Sequence, residues 1–217
     1  NLLIYMIILV GGSSGSGKTT FCKNLETYAT RHGGLSVTVI PHDYYYRDLS
    51  HLSMEERMQV NFDHPDSLDT PRLVNDLTRL NSLEVNQIVL PKYNYKTHTS
   101  DTTNSITIKT SDVYIVEGIL VLENTELKKI ADLSVYIDTS RDICLSRRIL
   151  RDTDTRARRP DQIMSQYFGS VREMDNTYVR VGRETADIII NGDNRFKEKQ
   201  SMLILGWVFS AILKRHK

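Results

Sequence analysis

Gly12-Ser13-Ser14-Gly15-Ser16-Gly17-Lys18-Thr19 follows the apolar run Leu2 to Val10 and opens a helical pattern that begins with Thr20. The spacing fits G-x-x-x-x-G-K-[ST] in the strand-then-helix context that gives this motif its meaning. Its glycines let successive backbone N–H groups turn inward as an anion nest, and the helix behind adds the positive end of its dipole. Such a loop cradles a di- or triphosphate. Lys18 then bridges the outer phosphates as a point charge, and the Thr19 hydroxyl completes a Mg²⁺ shell otherwise made of phosphate oxygens and water. The bland alternative is a Gly/Ser-rich surface turn beside an incidental lysine. It explains neither the strand, nor the Lys-Thr pair, nor the helix that follows.

The rest of the chain is built to carry this loop. Its 217 residues suit one α/β domain with a small insertion. With 28 basic and 27 acidic residues the formal charge is +1, so no global field argues for nucleic acid or membrane, and any basic site must be local. Cys22 and Cys144 are the only cysteines, with no metal-ligand spacing, and read as reduced thiols in a cytoplasmic protein. The N-terminal apolar run is shorter than the ~20 residues a membrane helix needs, and it lacks the marks of a signal peptide. Opening at Asn1 and not at Met is consistent with an N-terminal segment removed or left out.

Periodicity predicts five parallel strands: Leu2 to Val10, Ser36 to Ile40, Val113 to Val116, Ser134 to Ile137 and Ala186 to Ile190. Helical stripes fill the gaps. Thr20 to His32 is closed by Gly33-Gly34, a capping box opens at Ser53 with Glu56, and Thr70 is read as the N-cap of a helix with Pro71 at its first position. A helix from Arg141 to Arg151 follows, then a long one from Pro160, and a last one expected to bury Leu203, Ile204, Trp207, Val208, Ala211 and Ile212, with Lys214 to Lys217 as its basic end. Between them, residues 85–110 switch to β patterning, which reads as an inserted antiparallel hairpin with Thr97 to Asn104 as its connecting loop.

Chemistry-bearing residues collect where strands end, the side of a parallel sheet on which ligands bind. Asp43, directly after the second strand, is placed to accept the proton of an attacking hydroxyl, although a turn-forming Asp has equal claim from position alone. Glu117 ends the third parallel strand, where a carboxylate in a phosphate-loop protein serves Mg²⁺. Residues 147–165 form an arginine-rich lid region, and in its run from Arg147 to Arg159 the six arginines Arg147, Arg148, Arg151, Arg156, Arg158 and Arg159 face only Asp152 and Asp154. Composition by itself makes His98 a solvated loop histidine.

Two classes compete, a small-molecule kinase and a nucleotide-hydrolysing switch. A GTPase switch needs an N/T-K-x-D base reader and a D-x-x-G loop, and the sequence has neither. The chain also resembles the uridine kinases (uridine–cytidine kinases) of the phosphoribulokinase/uridine kinase class. The stretches that carry the resemblance are the phosphate loop, His-Asp-Tyr-Tyr-Tyr at 42–46, Asn-Phe-Asp-His-Pro-Asp at 61–66, Leu-Pro-Lys-Tyr-Asn-Tyr-Lys-Thr-His at 90–98, Glu-Gly-Ile-Leu at 117–120, Leu-Ser-Arg-Arg-Ile-Leu-Arg-Asp at 145–152 and Ala-Asp-Ile-Ile-Ile at 186–190.

The resemblance implies a phosphate-loop fold and transfer of phosphate from ATP, with Mg²⁺, to the 5′-hydroxyl of uridine or cytidine. It implies Asp43 as catalytic base with Lys18 and Arg156 assisting, and a nucleoside held by Asp63, Tyr93, His98, Arg148, Arg158 and Gln166 with Tyr46, Phe62 and Tyr95 lining the pocket. Asp193 matches an Asp near the ATP base, and relatives commonly form dimers or tetramers. Two alternatives remain open, a related kinase for another sugar or vitamin-like alcohol and a nucleotide sensor without turnover. The chain departs from the family pattern at Ser100, where an Arg is usual, and at Ala157, which replaces the Gly of an Arg-Gly-Arg flap. The turn before Asp193 is one residue shorter than the family's usual form.

Overall fold

The computed structural model describes residues 5–82, 84–194, 196 and 198–215. Strand β1 (Met6–Gly11) is buried along its whole length, as its unbroken apolar sequence requires of a strand covered on both faces. Residues 2–4 of the expected first strand lie outside the described residues. β1 sits at the centre of a five-stranded sheet with β2 (Val37–Pro41), β5 (Val113–Glu117), β6 (Leu133–Asp138) and β7 (Ile188–Asn191), in the order β2-β5-β1-β6-β7. Every neighbouring pair is parallel. All five carboxyl ends therefore open on one edge.

Alternate residues of β1 feed two cores. Ile7 and Leu9 join Leu73, Leu77 and Leu80 of helix α3 (Thr70–Asn81) on one face. Met6, Ile8 and Val10 join Phe21, Cys22 and Leu25 of helix α1 (Lys18–Tyr28), with Ile204 and Val208 of the final helix (Glu198–Arg215), on the other. Complete burial of each such side chain stabilises by roughly 1.5–3 kcal/mol, so the central strand is firmly held from both faces. α1 continues past Tyr28 in a wider turn and stops at Gly34 in the left-handed region.

Helix α2 (Met54–Gln59) has the predicted capping box, Ser53 and Glu56 exchanging side-chain to backbone bonds. Helix α4 (Thr125–Ile130) leads into β6, helix α5 (Arg141–Arg156) extends beyond the expected Arg151, and helix α6 (Pro160–Gln166) continues in wider helical turns to Val179. Strands β3 (Gln87–Asn94) and β4 (Thr99–Lys109) pair antiparallel as the inserted hairpin.

Three expectations are corrected. The N-cap of α3 is Asp69, whose carboxylate accepts from the Arg72 N–H; Thr70 is already helical, because a charged acceptor suits the helix dipole better than a hydroxyl. The hairpin connection is Tyr95 to His98, not Thr97 to Asn104, since the threonine-rich stretch has the β-branched backbone preference of a strand. Leu203 is 74% exposed, because Ile204 and Val208 define the buried stripe and one residue turns about 100° around a helix. Of the expected basic end, residues 216 and 217 lie outside the described residues. Cys22 and Cys144 are both buried and free. Among the described residues no helix is long and apolar enough to cross a membrane.

Candidate active site

The phosphate loop is shaped by what packs against it. Gly15 has φ +85°, and a Cβ there would lie 2.2 Å from the Cys144 carbonyl oxygen of α5, so only glycine fits both the turn and the close approach. Gly17 caps α1 in the left-handed region. The buried Ser16 N–H closes the turn on the Ser13 carbonyl at 3.0 Å. Lys18 curls over the loop, its Nζ donating to the carbonyls of Gly12 (2.8 Å) and Ser13 (3.0 Å). Burial lowers the lysine pKa, and the nearby charges of Glu117 and Asp43 oppose that shift. Burial in turn raises the Glu117 carboxyl, against the pull of Lys18.

The Thr19 hydroxyl donates to Glu117 Oε1 at 2.8 Å. Both are hard oxygen donors, brought side by side because α1 starts where β5 ends. Mg²⁺ asks for few protein oxygens and takes the rest from phosphates and water, so this pair fits it. Among the described residues no cluster of three or more His, Cys, Asp or Glu side chains is arranged to hold a metal by itself.

Asp43 stands on the turn after β2, across the sheet edge from the phosphate loop. Its Oδ2 accepts from the Tyr95 hydroxyl of the hairpin tip at 3.1 Å, and the Arg156 guanidinium lies 4.4 Å from the centroid of the Tyr95 ring. Behind Tyr95 the rings of Tyr46, Phe62 and Tyr93 pack edge to face or tilted, at centroid separations of 4.9–6.3 Å. The 61–66 loop is anchored by Tyr46 Oη to the Phe62 carbonyl (3.1 Å) and by Tyr178 Oη to His64 Nε2 (3.0 Å).

His98 is not solvated. It is 8% exposed, stacked on Phe62 at 4.8 Å with 18° between planes, and its Nδ1 lies 3.5 Å from the Tyr93 hydroxyl. Its φ of 53° is a left-handed conformation that a histidine adopts at some cost, so the tight hairpin turn holds it there. Burial, then Arg158, lowers its pKa, which favours the neutral ring. Asp63 is pushed up by burial and held back by Arg148. Arg148 and Arg158 converge on Gln166 Oε1 at 3.1 and 2.9 Å.

These groups surround one cavity of about 370 Å³, with Ser14, Lys18, Thr19 and Glu117 at one end and the aromatic group with Asp63, His98 and Gln166 at the other. Asp43 and Arg156 line it as well. Thr20 lines a second cavity of about 360 Å³ together with Gly17, Asn24, Arg147, Asn194 and Phe196. Arg147 belongs to this second space, not to the arginine group over the first, because its guanidinium donates to the carbonyls of Gly192 (2.8 Å) and Asp193 (3.0 Å). Arg159 is likewise apart, paired with Asp161 in solvent.

Asp193 does not face either cavity. Its carboxylate accepts from Ser140 N (2.7 Å) and Ser140 Oγ (2.9 Å), fixing the start of α5, and only its backbone carbonyl reaches Arg147. Arg151, one of the expected lid arginines, donates to Ser14 Oγ at 3.3 Å. Sequence reasoning missed two contributors, Asn24 and Phe196 of the second cavity, for which no motif or spacing gave a signal.

The family model for the phosphoribulokinase / uridine kinase family matches residues 7–196, a span that takes in the phosphate loop, the strand-end carboxylate, the hairpin and α5. The chain belongs to that family. A uridine kinase of Staphylococcus haemolyticus is 40% identical over 195 residues, 87% of this chain and 89% of its relative. One from Staphylococcus aureus is 41% identical over 196 residues, again 87% of this chain and 89% of its relative. Among solved structures the fold is similar to a phosphoribulokinase from Rhodobacter spheroides (TM-score 0.60, 17% identity, covering 87% of this chain and 70% of that one). It is also similar to a D-glycerate 3-kinase from Cryptococcus neoformans (TM-score 0.59, 16% identity, 87% and 86% covered). The family's fold, a parallel phosphate-loop sheet flanked by helices, is the one described above, and its members are kinases.

Proposed function

We propose that this protein transfers the γ-phosphoryl group of ATP to the 5′-hydroxyl of uridine or cytidine, giving the nucleoside monophosphate. The observation that carries the reading is the single cavity that runs from Lys18 and Thr19 past Asp43 to the aromatic and polar group around His98. Its size suits a nucleoside and its two ends differ in chemistry: positive and oxygen-rich at the phosphate loop, flat and hydrogen-bonding at the hairpin. The named relatives, uridine kinases at about 40% identity over most of the chain, support the same substrate class.

In this reading the loop amides from Gly12 to Lys18 bind the donor phosphates, and Lys18 leaves its carbonyl partners to meet the outer ones. The second cavity takes the donor base against Phe196 and Arg147. Thr19 and Glu117 would hold Mg²⁺, which would neutralise charge on the phosphate oxygens. Asp43 accepts the proton of the 5′-hydroxyl as that oxygen forms its bond to the γ-phosphorus and ADP leaves. Tyr95 fixes the carboxylate, and Arg156, seated on Tyr95, lies within reach of the transferring oxygens. Asp63 holds the ribose hydroxyls beside Arg148, while Tyr93 and His98 meet the pyrimidine edge and Phe62 supports the His98 ring. A site that hydrogen-bonds its base rejects one with the wrong edge, because buried polar groups are then left unpaired. Residues 147–165 act as the lid, and the active form is a homo-oligomer in the cytoplasm.

The test is a panel of acceptors with Mg-ATP, followed for ADP and phosphorylated product. Uridine or cytidine is expected to be consumed in preference to sugars, sugar phosphates and vitamin-like alcohols. ADP formation that needs one of those other acceptors, or none, overturns the reading.

A further inference from the structure

Asp152 is the one carboxylate enclosed by the arginines of α5. It is 0% exposed and lines no part of the cavity. Arg151 Nε donates to its Oδ1 at 2.8 Å, Arg156 approaches the same oxygen at 3.5 Å, and Arg148 Nε stands 3.6 Å from Oδ2. Its backbone carbonyl accepts from the N–H groups of Ala157 and Arg158, so the turn that carries the last arginine also starts from this residue.

The three guanidiniums held in this way lead to different parts of the cavity. Arg151 reaches Ser14 of the phosphate loop, Arg156 covers the Tyr95 ring that bonds to Asp43, and Arg148 meets Gln166 beside Asp63. We propose that Asp152 is a positioning residue for phosphoryl transfer, the shared counter-ion through which the donor side and the acceptor side of the cavity sense each other. The inference rests on the kinase reading above.

The physical reason is charge. Four arginines, including Arg158, meet in this region, and without an anion between them they repel each other and spread. One buried carboxylate holds three of them at fixed separations. It also makes their positions interdependent: a guanidinium drawn toward phosphate leaves more of the carboxylate to the others. Oδ2 of Asp152 and Nε of Arg148 are both buried without a hydrogen-bond partner, and they face each other just beyond bonding distance. A small rotation of Arg148 closes that gap, so the acceptor-side arginine has a second, tighter position available. Burial pushes the Asp152 carboxyl up, but the Arg151 hydrogen bond and the charges of Arg151, Arg156 and Arg148 outweigh it and keep the group ionised.

The test is Asp152→Asn, which keeps shape and removes charge. Two quantities are read: kcat and KM for each substrate, and the factor by which a non-hydrolysable ATP analogue changes the uridine dissociation constant in calorimetry. The wild type is expected to show coupling of ~5-fold or more. In Asp152→Asn, kcat should fall by ~10²-fold, the scale of an ångström misplacement, with KM for ATP changed much less, and the coupling should drop toward unity. A purely structural residue would lower the melting temperature and leave the coupling as it was.

If Asp152→Asn does not fold, Arg151→Met is read in its place: it removes the donor-side partner of Asp152 and must itself drop the coupling toward unity. Unchanged coupling, or kcat within ~3-fold of its reference, overturns the proposal. A wild type that phosphorylates no nucleoside overturns the kinase reading instead, so the two failures are distinct.

Discussion

The two ends of the cavity are made in opposite ways. The donor end comes from one contiguous stretch, residues 12–19, held between β1 and α1, with distant residues only bracing it: Glu117 on Thr19, Thr139 on Ser16 and Arg151 on Ser14. The acceptor end is gathered from four separate segments: the turn after β2, the 61–66 loop, the hairpin tip and helices α5 and α6. A contiguous loop can be right by local sequence, because its backbone geometry is fixed within a few residues. A gathered site depends on every contact between its segments. Here those contacts are the aromatic packing of Tyr46, Phe62 and Tyr93, the Tyr95–Asp43 bond and the Arg148–Gln166–Arg158 junction.

The largest effect should fall where the two ends meet. Asp43→Asn is expected to lower kcat by at least ~10²-fold while ATP still binds, as measured by steady-state kinetics and nucleotide titration. Near-normal turnover would remove Asp43 from the role of base. Gly15→Ala probes the donor end alone: its Cβ would press on the Cys144 carbonyl, so the loop must shift. KM for ATP should rise ~10-fold or more with KM for uridine nearly unchanged, since an ångström of displacement can carry a penalty of up to ~10²-fold. An equal rise in both constants would mean that the ends are not separable.

His98→Ala probes the gathered end. KM for uridine and cytidine should rise ~10-fold, the scale of one lost buried hydrogen-bonding partner, with ATP affinity retained. The hairpin assignment fails if ATP affinity falls and the nucleoside constants stay. The smallest effect concerns Ala157, which occupies the left-handed region at φ 53° and ψ 33° at the end of α5. Alanine there costs about 1 kcal/mol relative to glycine, so Ala157→Gly should raise thermal stability by a few degrees at most. A loss of stability would show that the turn gains more from alanine's lower chain entropy than it loses in strain.

Legibility followed the same division. The parallel strands, the order of the helices and the phosphate loop could be read because each is a local pattern: an apolar run, a 3.6-residue stripe, a glycine spacing. Asp43 and Glu117 could be named because a parallel sheet sends all its strand ends to one edge, a rule of topology that needs no contacts. The misses share a different cause. Leu203 and Ile204 are equally apolar, and only the partner surface decides which is buried. Asp193 has the position expected of a ligand-facing residue, yet its carboxylate is taken up by the start of α5. Arg147 and Arg151 stand one turn apart on one helix, yet they serve different cavities, because the loop after β7 supplies carbonyls to the first and Ser14 receives the second.

Taken by itself, the sequence determined that this protein has a phosphate loop on a parallel α/β sheet with acidic groups at the strand ends, since those properties are carried by short-range backbone preferences. Tertiary structure alone decided which arginines face the cavity, which way His98 turns, and that Asp152 sits beneath them all. Side chains far apart in sequence acquire their chemistry from burial and neighbours, and neither quantity exists until the chain has folded.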